Sequence, residues 1–269
     1  MAFPTLIEIG STIALLLGCG GIANLLSGTL RLRPIPPALE NPKREASQAL
    51  VLAIAVFIVT AMLEAFRFIV YQPLFHLNER PPLTVDYYDV TLTALFYLPW
   101  GIFLFLAMKR TGQDLRSIGV VKTDWKRAVA FGLSLSAAYF GIVGLFASPF
   151  SSGYTATSSS LAYGLLHNSI IGLSEEAIWR GYIQTRLIAC YGSFRGLSGT
   201  SVLFALLHFP QRYFLYSGVI LEALSSVLLV IAAGLLFGYI MLKSQNVVAP
   251  TVFHALANWT ALFWAISSF

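Results

Sequence analysis

Ala46-Ser-Gln-Ala-Leu-Val-Leu-Ala-Ile-Ala-Val-Phe-Ile-Val-Thr-Ala-Met-Leu-Glu64 carries no charged side chain before its last residue. A helix needs ~20 mostly apolar residues to cross a hydrocarbon core about 30 Å thick. Comparable runs recur along the chain, so that eight helical spans can be drawn at 5–30, 46–70, 88–108, 127–148, 161–188, 194–210, 215–242 and 246–268. The fold class read from this pattern is all-α, a polytopic transmembrane bundle of about eight spans. Composition agrees: of 269 residues, 57% are hydrophobic and 11% charged, against about 25% charged in soluble domains. Helices rather than barrel strands are implied, and a soluble globular protein is excluded.

The net charge of +5 does not point to nucleic acid, because Lys and Arg sit in short segments between apolar runs, as in the cytoplasmic loops of membrane proteins. Thirteen of them, Arg31, Arg33, Lys43, Arg44, Lys109, Arg110, Arg116, Lys122, Lys126, Arg127, Arg186, Arg195 and Lys243, fall on one side of the predicted bundle, and two, Arg80 and Arg212, on the other. This bias places both termini on the non-cytoplasmic side. The setting expected is the plasma membrane of a prokaryote, with the lipid bilayer as the constant partner. The connections Arg31–Glu45, Tyr71–Asp89, Lys109–Arg127 and Ser151–Ser160 are too short for a soluble domain. Residues 1–269 therefore read as one integral membrane domain, with N-terminal bundle helices over 1–150. Leu16-Leu17-Gly18-Cys19 resembles a lipoprotein cleavage site, but no Lys or Arg precedes that run and Glu8 interrupts it, so it reads as a span. Cys19 and Cys190 offer neither metal spacing nor a disulfide framework. The Trp and Tyr residues are assigned to interfacial belts and packing.

The fifth span breaks the apolar rule. It reads His167-Asn-Ser-Ile-Ile-Gly-Leu-Ser-Glu175-Glu176-Ala-Ile-Trp-Arg180-Gly-Tyr182, with two acids and a guanidinium at mid-bilayer depth. Each charge there costs at least ~2.5–3.5 kcal/mol on insertion scales, so such residues normally face the bundle interior and serve a function. Glu176 and Arg180 are four apart and share a face, whereas Glu175 projects about 100° around the helix. Arg180 is thus expected to hold Glu176, leaving Glu175 free for chemistry. The sixth span adds Phe204-Ala-Leu-Leu-His208 and the eighth His254-Ala-Leu-Ala-Asn258, each pair again on one face. Together these groups suit the activation of water: Glu175 with His208 as the base, His254 and Asn258 as donors to an oxyanion. Phe204, one turn from His208, packs beside the imidazole in the plainest reading.

Glu175-Glu176-x-x-x-Arg180, Phe204-x-x-x-His208 and His254-x-x-x-Asn258, in that order on separate apolar helices, resemble the three motifs of the CPBP intramembrane proteases. That family comprises the type II CAAX prenyl endopeptidases and bacteriocin-processing or immunity-related membrane proteins. The resemblance covers about residues 160–269, the catalytic helices. It implies a glutamate-dependent endopeptidase with a cavity open to the cytoplasmic side. Its CAAX members cleave a prenylated protein behind the modified cysteine, so the partner implied is a protein or peptide substrate, prenylated in that subfamily.

Other chemistries compete for the same residues. Glu175, His208 and His254 are similar to the carboxylate-plus-two-His ligands of a catalytic zinc. A metal-free site is preferred, because Asn258 suits an oxyanion better than a metal and no His-Glu-x-x-His motif is present. Gly196-Leu-Ser198-Gly199 spells the Gly-x-Ser-Gly of rhomboid serine proteases, but on a regular helix Ser198 would lie ~15 Å from His208. A transporter would explain intramembrane charges, including Glu64, Arg67 and Glu222, yet no inverted repeat accompanies them. A non-proteolytic immunity-type partner protein is the remaining alternative. His76 and His167 are read as a solvated loop residue and an interfacial imidazole.

Overall fold

In the computed structural model, residues 6–29, 41–74, 84–122, 124–146 and 157–264 are described. His76, Arg80 and most of the Arg31–Glu45 and Ser151–Ser160 connections lie outside them. The described residues form helices and contain no strand. We number them α1 (Leu6–Thr29), α2 (Pro42–Phe66), α3 (Tyr87–Thr111), α4 (Trp125–Phe146), α5 (Ser158–Glu176), α6 (Thr185–Tyr191), α7 (Ser193–Leu207), α8 (Phe209–Leu215), α9 (Ile220–Ser244) and α10 (Val248–Trp264).

Local sequence sets the ends of these helices. The Asn41 side chain accepts from the Arg44 N–H while Pro42 fills the first turn of α2, where its missing N–H costs nothing. Asp86 and Asp89 form a reciprocal capping box at the start of α3, and Gly112 closes its other end at φ 66°, a left-handed conformation that glycine adopts without steric penalty. Thr157 caps α5 through the Ser160 N–H.

Two rods are less regular than their apolar pattern predicts. α2 runs on through a π-helical turn at Arg67–Tyr71. α5 passes into a π-helix over Ala177–Gln184 before resuming as α6. The fifth span is therefore not one uniform α-helix, and its change of pitch begins one residue after Glu176. Such insertions are frequent at functional sites.

Four described helices are long and apolar enough to cross a membrane: Pro42–Leu74, Tyr87–Thr111, Trp125–Gly144 and Ile220–Ser244. Their outward faces carry Val51, Ile54, Leu95, Phe105 and Leu228, all exposed, as a lipid-facing surface requires. The chain is an integral membrane protein built as an all-helical bundle. The rod from Ser158 to Tyr191 is equally long but holds Glu175, Glu176, Arg180 and Arg186, all buried.

Small residues allow the close approaches that packing without a strong hydrophobic force requires. At Gly172 a Cβ would stand 3.0 Å from the Thr251 carbonyl oxygen and 3.2 Å from the Ala255 nitrogen, so α5 and α10 pack almost backbone to backbone. At Gly196 it would stand 2.5 Å from the Ile188 nitrogen, where α6 turns back into α7. That contact accounts for the first glycine of the rhomboid-like quartet as packing.

Arg186 departs from the sequence reading. Counted there among loop cations, it is fully buried. It donates to the Ser117 carbonyl at 3.0 Å and to Thr185 Oγ1 at 2.8 Å, also bonds Gln113, and lies 3.8 Å from Glu45. Gln113 in turn donates to Glu45. Arg186 is a lock between α2, α6 and the turn Leu115–Ile118, rather than a solvated topology marker.

Candidate active site

Glu175 and Glu176 end α5, with Glu175 17 residues from Ser158 and 16 from Tyr191, and their side chains are almost wholly buried. The expected pair forms: Arg180 Nε lies 3.3 Å from Glu176 Oε2, with both side chains inaccessible to solvent. Two aromatic faces enclose the cation, Phe204 at 4.1 Å and Phe237 at 5.3 Å from Arg180 Cζ. Such contacts add ~0.5–2 kcal/mol each and are strongest when desolvated. Phe204 thus does more than pack beside His208: it lies between the guanidinium and the imidazole, 4.8 Å from the latter ring in an edge contact. It also sets that ring, since the Phe204 carbonyl lies 2.9 Å from His208 Nδ1.

His254 makes a contact that spacing along one helix does not reveal. Its Nδ1 is 2.8 Å from Glu176 Oε1, and its ring stacks on Phe237 at 4.4 Å. Glu176 is therefore divided between two partners, Arg180 on one oxygen and His254 on the other. This Arg180–Glu176–His254 chain fixes the tautomer of the imidazole: with Nδ1–H given to the carboxylate, Nε2 faces the site. The arrangement works as the buried carboxylate of a serine-protease triad does. Nε2 stands 3.9 Å from Glu175 Oε2.

Glu175 has two unlike oxygens. Oε1 accepts a hydrogen bond from the Tyr97 hydroxyl of α3. Oε2 is buried and has no hydrogen-bond partner among the described residues. Tyr97 was not singled out in the sequence, where it is one of 12 tyrosines on a span without charges near it. It packs edge-on against Trp100 at 4.8 Å, which fixes its ring. It also borders an apolar groove of about 410 Å³ between α3 and α5, lined by Ala94, Leu98, Gly101, Ile170 and Ser174.

Asn258, one turn beyond His254, is buried, and its Oδ1 has no hydrogen-bond partner among the described residues. His208 lies within Coulombic reach of Glu175 and His254, and its Nδ1 is engaged by the Phe204 carbonyl. Glu175, Glu176, Arg180, Phe204, His208 and His254 are thus neighbours in space, and Asn258 is held on the same helix as His254. Ser198 lies ten residues before His208 on the preceding helix. Glu222 stands in the first turn of α9, where a carboxylate complements the helix dipole. His167 pairs with Thr93 Oγ1 at 2.9 Å, linking α3 to α5. The zinc reading requires Glu175, His208 and His254 to converge, and among the described residues no three His, Cys, Asp or Glu side chains are grouped to hold a metal ion.

Comparison with known proteins adds one finding. No curated protein and no solved structure matches the chain. A family model, type II CAAX prenyl endopeptidase Rce1-like, matches residues 157–260. That stretch begins at the cap of α5, ends beyond Asn258 and contains all three motifs. Residues 157–260 are accordingly the part of the chain that is similar to this protease family, the one that the three motifs resemble.

Proposed function

We propose that the chain is an intramembrane endopeptidase of CAAX-prenyl-endopeptidase type, in which Glu175 activates water without a metal. The observation that carries this reading is the asymmetry of Glu175: Oε1 is held by Tyr97, while Oε2 has no hydrogen-bond partner among the described residues and faces His254 Nε2 at 3.9 Å. A carboxylate oriented in this way takes a proton from water as the water oxygen attacks the scissile carbonyl carbon. The oxygen of the tetrahedral intermediate is met by the Asn258 amide and by His254 Nε2–H. Because Nδ1–H is donated to Glu176, His254 donates from Nε2 only as the imidazolium, which Glu176 neutralises. The C–N bond then breaks, and the proton on Glu175 passes to the leaving amine. His208, close to Glu175, assists this transfer. Removing one oxyanion donor typically costs ~10²–10³ in rate.

The apolar groove beside Tyr97 supports a substrate with a hydrocarbon segment, such as a prenylated or membrane-embedded peptide. The distribution of Lys and Arg supports a plasma-membrane setting with both termini non-cytoplasmic. The test is incubation of the protein in liposomes with matched prenylated and unprenylated peptides, with products identified by mass spectrometry. The expected product is the fragment released behind the modified cysteine, from the prenylated peptide alone. Absence of cleavage of every lipid-modified and transmembrane peptide would refute the reading.

A further inference from the structure

The segment from Lys109 to Arg127 joins α3 and α4, two helices long and apolar enough to cross a membrane, so it lies at the level of the lipid headgroups. It holds six cations against two acids. Both acids are committed. Asp114 caps the turn Leu115–Ile118 by accepting from the Arg116 N–H at 3.0 Å, and Asp124 pairs with Arg127 at 3.4 Å. Lys109, Arg110, Arg116, Lys122 and Lys126 are exposed and, among the described residues, form no ion pair. Two large apolar side chains stand among them, Leu115 at 58% and Trp125 at 50% exposure, and the Lys126 ammonium lies 5.9 Å from the Trp125 ring. Trp and Lys together at a span end suit a membrane interface, with the indole among headgroups and the ammonium at the phosphate.

The inner side of this loop is seated on the elements that carry the candidate site. Arg186 donates to the Ser117 carbonyl at 3.0 Å and to its hydroxyl at 3.2 Å. Ile118 is buried, and a Cβ at Gly181, the residue after Arg180, would stand 2.7 Å from the Ile118 carbonyl oxygen. The Gly119 carbonyl accepts from the Val247 N–H at 3.0 Å, and Asn246 Nδ2 donates to the Val121 carbonyl at 3.0 Å. Asn246 Oδ1 in turn accepts from the Val248 N–H at 3.0 Å, in the first turn of the helix that carries His254 and Asn258. One short loop thus presents charge outward and touches both the π segment of Arg180 and the head of α10.

We propose that the α3–α4 loop is a binding site for anionic phospholipid, whose headgroup phosphate pairs with the loop's outward cations and clamps the loop onto the π segment and the start of α10. Positive charge alone marks only a side of the membrane. What singles out this loop is charge and exposed apolar surface on the outside combined with hydrogen bonds to two site-bearing elements on the inside. A lipid fits better than an acidic peptide, because Leu115 and Trp125 gain from an acyl-chain boundary next to the charge. The inference stands apart from the endopeptidase reading, since it concerns lipid binding and the order of the loop.

The experiment uses full-length protein in neutral detergent, with phosphatidylglycerol or phosphatidylcholine added, and reads bound lipid by native mass spectrometry and loop order by amide hydrogen exchange. A surface cation near anionic lipid contributes roughly fivefold in affinity. Arg116→Gln and Lys122→Gln should therefore each weaken phosphatidylglycerol about fivefold, and with Lys126→Gln the three together on the order of a hundredfold, while phosphatidylcholine binding is unchanged. Arg116→Lys should stay near wild type. Phosphatidylglycerol, and not phosphatidylcholine, should slow exchange over 115–121 and 177–186, and the triple variant should lose that protection. Should the triple variant unfold, the two single variants decide by the same readouts. Equal binding of the two lipids overturns the proposal, as do variants that keep the wild-type preference. Preferential binding without protection of 115–121 places the lipid elsewhere and also overturns it. Inorganic phosphate or poly-glutamate that reproduces the protection without lipid would assign the cations to a free anion or an acidic protein, and the proposal would fall.

Discussion

Replacing Tyr97 by Phe removes one hydroxyl and keeps the ring that packs against Trp100 at 4.8 Å and Phe96 at 5.2 Å. The hydroxyl lost is the donor to Glu175 Oε1. A hydrogen bond to a charged group is worth about 1.5–3 kcal/mol, which corresponds to roughly 10- to 150-fold in rate if it is needed in the transition state. Two effects oppose each other. A carboxylate that loses a donor becomes the stronger base, which favours proton abstraction. The same carboxylate is released to rotate about its last torsions, and a displacement of ~1 Å costs about 10²-fold. Positioning outweighs basicity here, because among the described residues Oε2 has no hydrogen bond to orient it. Tyr97→Phe should therefore lower kcat at least tenfold with little change in KM, measured on a lipidated peptide in proteoliposomes alongside thermal unfolding of the same preparation. A folded variant that turns over at the wild-type rate or faster would refute the assignment of Tyr97 as a positioning residue.

Arg180→Met should destabilise the fold by about 3–5 kcal/mol, the usual cost of leaving a buried carboxylate without its counter-charge; adding Glu176→Gln should recover part of the loss in thermal unfolding, and a single variant as stable as wild type would contradict the buried pair. Ser198→Ala should leave peptide cleavage within about threefold of wild type, since most substitutions away from a site have small effects. Gly196→Leu should lower the unfolding temperature, because its Cβ would meet the Ile188 backbone at 2.5 Å; loss of activity in Ser198→Ala with the fold intact would revive the serine-protease reading. Dialysis against a strong chelator should leave turnover unchanged, followed by metal analysis of the same sample; stoichiometric zinc removed together with activity would restore Glu175, His208 and His254 as ligands.

Hydrophobic run length was enough to read the helical bundle, because lipid tolerates few alternatives to a hydrogen-bonded helix. The Glu176–Arg180 pair was legible for a similar reason: residues four apart stay on one face even where the helix widens into a π segment. The π segment itself was not legible, since the same apolar pattern suits either pitch. Contacts between helices were hidden too. Nothing in the spacing His254-x-x-x-Asn258 says that His254 reaches Glu176 rather than Glu175, and Tyr97 lies 78 residues from its carboxylate partner. Arg186 shows a limit of counting charges: it resembles the other cations at span ends, yet tertiary packing buries it against Glu45 and Gln113. Sidedness is where two expectations part. The resemblance implies a cavity open to the cytoplasm, while Arg212, one turn from His208, falls on the side assigned to the exterior by the distribution of Lys and Arg.

The central claim is that Glu175 carries the proton in peptide hydrolysis, and the direct measurement is single-turnover cleavage by Glu175→Gln protein in liposomes. The substitution keeps the shape of the side chain and an acceptor for Tyr97 while removing the base. Cleavage should fall by about 10²–10⁴, the range of general acid–base catalysis, with the substrate still bound and the unfolding temperature near that of the wild type. A folded Glu175→Gln protein that cleaves within about threefold of the wild-type rate, well outside that range, would contradict the account.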